Sequence, residues 1–581
     1  MAASVLLAWL LPASAVTSRP LLIHNESLLA QTWATLASSA GRRTLGPALH
    51  AIEQHAVGHL HTPLFTVTQC PEVPPSGDRH DYMSAGVYWW PCARVPSTGV
   101  CNLSACVHDE CNCSSVDICN KTSHNCDAAT SMPWASCDGH ENLKSINLGG
   151  LPQLKGMAAA VQALAAGFYW TRNETYAARA VELIAVFFLD PGTRMNPNFN
   201  FGQSMPGYNN GSGSGLVEID IWLIQVMEGI ALINHPASCE GCVASAAWGA
   251  TQDASMLEWL KQWSGWLKTT PYSTWACNYR NNHNAACRSS WLAVAAWIGE
   301  TALAQRIIAG AKERQWTNTS SSSHWPYQEL GAPNCYGCNG SCTGTCGKAP
   351  IGGQVWRDGE LPQEAGRVNS IGYTVAELHT LFLLAQLSRH PILGGEDLFG
   401  YVSLNGSSIR GALDYLVPFA LGQQNWSHHT ETEVFQVYPE LRQAAAVFGN
   451  ESYLRWAVRT HSFNLSCNSP PQLLKFPGPS LTMTYYLCFQ EQIVACTDGG
   501  CAADSSLLWW PSSSSSGGGS NSSSDALKTD DVVLSNLALP KDETGHRLIT
   551  GETSVVTVNG THYVFVNDWG ACESIDCCAS R

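Results

Sequence analysis

The chain has 581 residues, of which 45% are hydrophobic and 13% are charged. This composition excludes a disordered or fibrous protein, and the length suits one large domain or several smaller ones. The formal net charge of −15 argues against a nucleic acid as partner, because binding phosphates requires a basic face. An anionic polymer is compatible with this charge only if basic groups gather in one groove.

The N-terminus indicates export. Residues 5–11 are apolar, and Ala13-Ser14-Ala15 is a small-x-small motif typical of a cleavage site, so we expect a signal peptide over residues 1–15. Fourteen Asn-x-Ser/Thr sequons fit a glycoprotein of a eukaryotic secretory pathway. Since no later stretch approaches the roughly 18 consecutive apolar residues of a membrane span, we expect a secreted protein without one.

Half of the 24 cysteines fall in two clusters, over residues 92–137 and 335–346. In an exported protein such clusters indicate disulfides. The spacing in the second cluster imitates a zinc site, but its Gly-, Asn- and Ser-rich surroundings favour local disulfides. We therefore expect a disulfide-stapled insertion over residues 92–140, a smaller one over 333–353, and no metal site.

Apolar residues recur at intervals of three and four up to about residue 460, which predicts a mainly helical protein. The predicted helices follow the stripes 151–168, 176–189, 219–233, 256–267, 291–308, 373–386 and 438–448. Long polar connections such as residues 190–215 separate them. This organisation favours a helical toroid, in which paired helices surround a central cavity. A generic helical bundle is the alternative.

The pattern changes near residue 465. We expect an irregular extension with short β-type runs over residues 466–511 and a flexible Ser/Gly linker over 512–525. Beyond the linker, two runs rich in β-branched residues flank Asn559-Gly560. Because Asn-Gly suits a two-residue hairpin turn, these runs predict a β-hairpin.

Four polar segments lie beside predicted helices, at residues 76–91, 189–203, 281–283 and 358–373. They contain no nucleophile elbow, phosphate loop or His-Glu-x-x-His pattern. They offer amides, one His, one Arg and one Tyr, a set that suits removal of the C5 proton of a hexuronate. Asn, His and Arg neutralise the neighbouring carboxylate, a Tyr or His takes the proton, and an acid protonates the departing 4-oxygen.

Each of these residues also has an ordinary structural interpretation. Asn281-Asn282 suits a turn or a helix cap, and His283 suits a satisfied core or surface position. Arg367 suits an ion pair with Glu364. The residue types alone therefore leave the catalytic assignment open.

The four segments resemble the alginate lyase family, which includes family 5 polysaccharide lyases and related mannuronan and glucuronan lyases. The resemblance rests on residues 76–91, residues 189–203, Asn281-Asn282-His283, and Asp358-Gly359-x-x-Pro362-x-Glu364-x-x-Arg367 with Tyr373, in the family's order. It covers roughly residues 60–460. It implies an (α/α) toroid, an incomplete helical barrel with a deep cleft, which agrees with the helical periodicity. We place this domain at residues 16–465.

The resemblance implies specific catalytic roles. Asn282 and His283 correspond to the amide and imidazole that meet the uronate carboxylate, and His283 is also the base for substrates whose C5 proton faces it. Tyr373 corresponds to the acid, and to the base as well in syn elimination. The positive charge of Arg367 would favour tyrosinate, whose unperturbed pKa is about 10. No metal or other cofactor is implied.

The resemblance also implies substrate contacts along the cleft. Gln203 and Asn200 are the weaker candidates, as contacts of the uronate carboxylate. The segment that resembles the family's lid or cleft wall supplies sugar-binding candidates, namely Arg79, His80, Tyr82, Trp89 and Trp90.

Some features depart from the family pattern. Residues 284–287 read Asn-Ala-Ala-Cys, where relatives often carry a Gly or Ser and an aromatic residue. Pairing of Cys287 with Cys277 would rigidify His283, and a reshaped subsite is the alternative. The Cys-rich insertion directly follows Trp89-Trp90, so the family's rules for endo or exo action do not transfer.

The tail over residues 526–581 resembles the opening blade of a five-bladed β-propeller related to family 43 glycoside hydrolases. A propeller requires at least four blades of four strands each, for which this tail is too short. We expect a truncated or remnant segment and assign it no activity.

We therefore expect a secreted, monomeric lyase whose partner is an anionic uronic-acid polysaccharide. A toroidal glycoside hydrolase is one alternative, with Glu218, Asp220 or Glu364 as its carboxylates. Glu218 and Asp220 lie two residues apart, so they do not share a helix face. A glycan-binding protein that retained the cleft is the other alternative.

Overall fold

The structure of the chain is a computed structural model. The residues it describes are 19–91, 93–94, 101–102, 134–136, 149–204, 211, 213, 215–239, 241–277, 281–312, 354–356, 358–367, 369–393, 395–403, 406–428, 430, 437–453, 455–457, 552–558 and 561–567. The predicted signal peptide, extension and Ser/Gly linker lie outside this part, as do most of the Cys-rich insertion and all of residues 333–353.

The described part is mainly helical. Its α-helices are α1 (Glu26–Ala37), α2 (Ser39–His59), α3 (Leu151–Thr171), α4 (Glu174–Ile184), α5 (Val217–Asn234), α6 (Ala250–Thr269), α7 (Pro271–Ala276), α8 (Asn282–Ile298), α9 (Thr301–Lys312), α10 (Pro362–Ala365), α11 (Ser370–Ser388), α12 (Ile409–Ala420) and α13 (Tyr438–Phe448). Its strands are β1 (Met83–Ala85), β2 (Trp89–Pro91), β3 (Ala93–Arg94), β4 (Cys101–Asn102), β5 (Trp134–Ser136), β6 (Phe201–Ser204), β7 (Glu552–Val558) and β8 (Thr561–Asn567).

The centre of the fold is a row of long helices in which α3 packs against α5, α5 against α8, and α8 against α11. Every residue of α5 is buried, as expected for a helix that other elements cover on all sides. Helices such as α2, α4 and α9 pack on the outside of this row. The row matters for function because α8 and α11 both begin at the polar segments singled out in the sequence.

Most of the helical predictions are confirmed, with one correction. The apolar stripe over residues 291–308 is not one helix, since α8 ends at Ile298 and α9 begins at Thr301. Gly299 caps α8 with φ of 76°, and its N–H donates to the carbonyl of Ala295. Only glycine adopts this left-handed conformation readily, so the chain turns here although the apolar period continues.

The described strands form separate two-stranded sheets and not one large sheet. In the pair that matters for the site, β1 and β6 run parallel, with Met83 opposite Phe201 and Ala85 opposite Ser204. At the C-terminal end β7 and β8 are antiparallel and Val558 pairs with Thr561, which confirms the predicted hairpin around Asn559-Gly560.

The described part contains disulfides between Cys239 and Cys242 and between Cys277 and Cys287. The second confirms the pairing expected beside His283. None of the described helices combines the length and the hydropathy that crossing a membrane requires.

Candidate active site

The first turn of α8 carries Asn282 and His283. Asn281 precedes it in an extended conformation as the N-cap, and its side-chain oxygen accepts the His283 N–H at 3.2 Å. The disulfide from Cys277 to Cys287 ties the preceding segment to the second turn of the helix. The capping role expected of Asn281-Asn282 therefore belongs to Asn281. The side chains of the next two residues are left for other contacts.

A buried carboxylate joins this turn to the segment before α11. Glu364 is 0% exposed, its Oε1 accepts the backbone N–H of Asn282 at 2.9 Å, and its Oε2 lies 3.4 Å from Arg367 Nη1. The ion pair between Arg367 and Glu364 that the sequence allowed is thus present. It holds the guanidinium next to the start of α8, so it does not compete with a catalytic role.

Arg367 also lies against Tyr373, with its Cζ 3.7 Å from the centroid of the tyrosine ring. Such a contact between a cation and a ring face is attractive. The hydroxyl of Tyr373 is hydrogen-bonded to the hydroxyl of Tyr88. Asn282, Glu364, Arg367, Tyr373 and Tyr88 therefore form one continuous set of contacts.

The start of α11, which carries Tyr373, is held in place by the loop after α12. Trp426 donates its indole N–H to Ser370 Oγ at 2.7 Å, and Thr430 donates its hydroxyl to Asn369 Oδ1 at 3.4 Å. Ser370 lies three residues before Tyr373, on the same side of the helix. These contacts fix the turn from which the catalytic candidate projects.

His283 is partly buried and stays neutral. Burial and the positive charge of Arg367 lower the pKa of His283 to about 3. A neutral imidazole has one donor and one acceptor nitrogen, so it can donate a hydrogen bond to a carboxylate and still accept a proton. Within the described residues, Asn282 Oδ1 is a buried oxygen without a hydrogen-bond partner.

The helix α11 also contributes a buried carboxylate. Glu377 is one helical turn beyond Tyr373 and 0% exposed. Burial and the negative charge of Glu364 raise the pKa of Glu377 well above its usual range. Burial and the neighbouring Glu364 carboxylate thus both favour the neutral form of Glu377.

Gln203 lies in β6 with φ of 54°, a left-handed conformation that costs a residue other than glycine roughly 1–2 kcal/mol. Its backbone N–H donates to Ser84 Oγ at 2.7 Å. Two glycines pack against this strand: a Cβ on Gly213 would lie 2.1 Å from the carbonyl oxygen of Gly202, and one on Gly215 would lie 2.5 Å from Gln203 Cγ. Backbone strain held by such packing is often found at functional sites.

The other predicted substrate contacts are distributed. Arg79 is exposed and donates to the carbonyl of Cys70 at 3.0 Å, and His80 Nδ1 lies 2.6 Å from the carbonyl oxygen of Arg194. Asn200 Oδ1 accepts the indole N–H of Trp266 at 3.1 Å. The structure does not join these three to the set around Tyr373 by any described contact.

Tyr82 is fully buried, stacked on Phe199 with ring centroids 4.0 Å apart, and hydrogen-bonded to Glu218. Because the side chain is buried, its ring is not open to stack on a sugar in this conformation. The backbones of Trp89 and Trp90 belong to β2, which pairs with β5. Their side chains are outside the described atoms.

Tyr88 is the residue that sequence reasoning missed. It belongs to the aromatic run that ends in Trp89-Trp90, of which only the two tryptophans were predicted to bind sugars. Tyr88 follows β1 closely. It could be identified as a site residue only once the position of β1 relative to α11 was known.

The carboxylates considered for hydrolysis do not form a pair. Glu218 accepts hydrogen bonds from Tyr82 and Ser84, whereas Asp220 Oδ2 has no hydrogen-bond partner among the described residues. Glu218 and Asp220 are 4% and 2% exposed. Two carboxylates that flank a glycosidic bond have to share an open cleft, and both of these are buried. Among the described residues, no group of three or more His, Cys, Asp or Glu is arranged to hold a metal ion.

The disulfide beside His283 gives a testable prediction. Replacing Cys277 and Cys287 together with serine should lower the free energy of unfolding by about 2–3 kcal/mol, because the bridge closes a loop with a sequence separation of 10. Activity should fall as well, since the first turn of α8 loses an anchor. Chemical denaturation and steady-state kinetics measure the two effects.

The matched control is the double serine variant of Cys239 and Cys242, a bridge with a sequence separation of only 3. Since it closes a shorter loop away from α8, it should cost less stability and leave the kinetics unchanged. Equal effects of both double variants on activity would contradict a specific role for the Cys277–Cys287 bridge.

The chain is similar to known proteins in sequence and in structure. The family model described as alginate lyase matches residues 66–320 and 341–426. A crystal structure of an alginate lyase from Bacteroides ovatus is similar over 81% of this chain and 99% of that chain, with a TM-score of 0.57 and 23% sequence identity. Alginate lyase A1-III from Sphingomonas species A1 is 10% identical, with a TM-score of 0.32 over 68% of this chain and 87% of that chain. No curated protein sequence matches the chain.

Proposed function

Because the chain belongs to the alginate lyase family, whose model matches more than half of it, we propose that it is an exported polysaccharide lyase. Its substrate is a uronic-acid polysaccharide such as polymannuronate or another alginate, or a glucuronan. It cleaves the chain by β-elimination and leaves a 4,5-unsaturated uronate at the new non-reducing end.

The observation that carries this proposal is the contact set around Glu364. It unites the start of α8, where Asn282 and His283 lie, with Arg367 and Tyr373 at the start of α11. Neutral donors, one cation and one phenol are the groups that elimination next to a carboxylate requires.

In the proposed reaction the uronate carboxylate binds between Asn282, His283 and Arg367. Their N–H groups and positive charge stabilise the negative charge that develops as the C5–H bond breaks. The electron pair of that bond forms the C4=C5 double bond, the C4–O4 bond breaks, and O4 takes up a proton. The polysaccharide is thus cleaved without water as a reactant.

We assign Tyr373 as the acid that donates the proton to O4. Arg367 stabilises negative charge on the phenolate oxygen, so Tyr373 also acts as the base when the C5 proton and O4 lie on the same side of the sugar. In that case the proton taken from C5 is the one delivered to O4. His283, held neutral by its lowered pKa, is the base when the C5 proton lies on the other side.

The proposal extends to the fold, to export and to the remaining sugar contacts. The row of helices from α3 to α11 would belong to an (α/α) toroid, with the cleft at the starts of α8 and α11. Export is supported by the small-x-small motif after an apolar N-terminus and by the two disulfides of the described part. Gln203, Asn200, Arg79, His80, Trp89 and Trp90 remain proposed sugar contacts.

The experiment is a panel of polymannuronate, polyguluronate and glucuronan incubated with the secreted protein. We expect an ultraviolet absorbance from the conjugated 4,5-unsaturated uronate to rise on one polymer, which identifies the reaction and the substrate together. New reducing ends without this absorbance would contradict elimination and favour hydrolysis. Binding without any cleavage would favour a glycan-binding protein.

A further inference from the structure

The side-chain amide of Asn200, directly before β6, is held in one orientation. The indole N–H of Trp266 donates to Asn200 Oδ1 at 3.1 Å. Because an indole nitrogen only donates, Asn200 has to present its oxygen, and not its NH2 group, to Trp266. The backbone of Asn200 is fixed as well, since its N–H donates to Asn198 Oδ1 at 3.3 Å and its carbonyl accepts the N–H of Gly213 at 3.1 Å. The NH2 group is therefore turned away from Trp266.

The NH2 group of Asn200 is available to a ligand. Among the described residues none accepts a hydrogen bond from it, and its nitrogen is not one of their buried polar atoms that lack a partner. The residue is half-buried. An amide of this kind, whose oxygen is already engaged, offers two N–H bonds that suit the hydroxyl and carboxylate oxygens of a sugar acid.

We propose that Asn200 binds a uronate residue of the polysaccharide at a subsite away from the bond that is cleaved, and that Trp266 is the positioning residue that turns the NH2 group of Asn200 toward this uronate; the inference rests on the proposed function. The NH2 group donates to a carboxylate or hydroxyl oxygen of the sugar. A contact far from the reacting atoms contributes to binding and not to the chemical step, so the subsite acts through KM.

Both residues lie on segments that lead to the catalytic set. Asn200 immediately precedes β6, and the carbonyl of Ser204 at the end of that strand accepts the N–H of Gly86 at 3.0 Å. Tyr88, which belongs to the catalytic set, follows two residues after Gly86. Trp266 lies in the last turn of α6, and the chain continues from there through α7 to the first turn of α8. Since no described contact joins Asn200 to the catalytic set itself, we place the subsite beyond the point of cleavage.

Asn200→Asp and Asn200→Ala, assayed on the polymer that the wild type cleaves, separate sugar binding from mere support of Trp266. An aspartate keeps an oxygen that accepts the indole N–H, but it replaces the NH2 donor with a negative charge that repels an anionic polymer. We expect Asn200→Asp to raise KM more than about tenfold and Asn200→Ala to raise it about fivefold, with kcat within about twofold of wild type in both. Added salt should reduce the defect of Asn200→Asp, because ions screen the repulsion. If Asn200→Asp were the milder change, as support of Trp266 alone requires, the inference would be overturned.

Trp266→Phe tests the positioning. It removes the indole N–H and keeps an aromatic ring, so the amide of Asn200 is no longer held with its NH2 group toward the uronate. KM should rise about fourfold when this change is made alone and stay unchanged when it is added to Asn200→Ala. A rise of the same size in both backgrounds would overturn the inference, because a merely structural effect does not depend on Asn200.

Asn450→Asp is the matched control. Asn450 is also a half-buried amide whose Oδ1 accepts an N–H, that of Ser452 at 3.0 Å, and it lies in the loop after α13. The variant adds the same charge at another place on the protein, so KM should stay within about twofold of wild type. A rise equal to that of Asn200→Asp would overturn the subsite, since the added net charge alone would then explain both variants.

Circular dichroism checks the fold of every variant. If Asn200→Asp does not fold, the two backgrounds of Trp266→Phe decide by the criterion given for them. A wild type that eliminates none of polymannuronate, polyguluronate and glucuronan contradicts the proposed function instead. Calorimetric affinity for these three polymers then takes the place of KM, and equal affinity of the wild type and Asn200→Asp, or no binding by either, overturns the inference.

Discussion

Replacing Tyr373 with phenylalanine is expected to lower kcat for elimination about a thousandfold while the affinity for an oligouronate stays nearly unchanged. The substitution removes the phenolic oxygen that we assign to the proton on O4. It keeps the ring that lies 3.7 Å from Arg367 Cζ. Steady-state kinetics, followed by the absorbance of the unsaturated product, and calorimetric binding of an oligouronate separate the two effects.

The contrasting variant is Tyr88→Phe, which removes the other hydroxyl of the hydrogen-bonded pair. Because Tyr373 keeps its own proton in that variant, we expect a loss of only about tenfold, the effect of one hydrogen bond on the position and charge of Tyr373. If Tyr373→Phe retained near-normal activity, or if Tyr88→Phe were the more severe change, the assignment of the acid would be wrong.

Replacing Arg367 with glutamine should lower kcat/KM by about a hundredfold or more. The change removes the cation that contacts Tyr373 and that we place at the uronate carboxylate. It also leaves the buried carboxylate of Glu364 without its ion-pair partner. Arg367→Lys should recover only part of the activity, because an ammonium lacks the planar set of donors that contacts a carboxylate and a ring together.

Arg410→Gln is the matched control for this change. Arg410 also pairs with a carboxylate, Asp414 at 3.5 Å, and also lies near an aromatic ring, that of Phe448 at 5.1 Å. Its substitution should alter thermal stability slightly and leave kcat/KM unchanged. Equal losses of activity from both arginine variants would mean that the effect of Arg367→Gln is on stability and not on the reaction.

The type and order of the helices were predictable because the apolar period is a local property of the chain. Buried helices such as α5 and α11 follow the predicted stripes closely. The single stripe over residues 291–308 was misleading, since one glycine with a positive φ ends α8 without interrupting the apolar pattern. The local glycine and the tertiary packing both contribute to where α8 ends.

The candidate site was only partly predictable. The residue types at Asn282, His283, Arg367 and Tyr373 indicate their chemistry without any coordinates. The contacts of Tyr82 and Asn200 were not predictable, because an aromatic or amide side chain serves equally in a cleft wall and in a core. In the structure, Tyr82 donates a hydrogen bond to Glu218, and Asn200 accepts one from Trp266.

By itself the sequence determined the helical class, the likeness to the alginate lyase family and the presence of residue types that suit elimination chemistry, since periodicity and short motifs lie in neighbouring positions. Only the tertiary structure decided that Glu364 joins α8 to Arg367, that Tyr88 meets Tyr373, and that Ser84 links the backbone N–H of Gln203 to Glu218. These contacts join residues far apart in the chain. Their formation depends on how whole helices and strands pack, which no local pattern specifies.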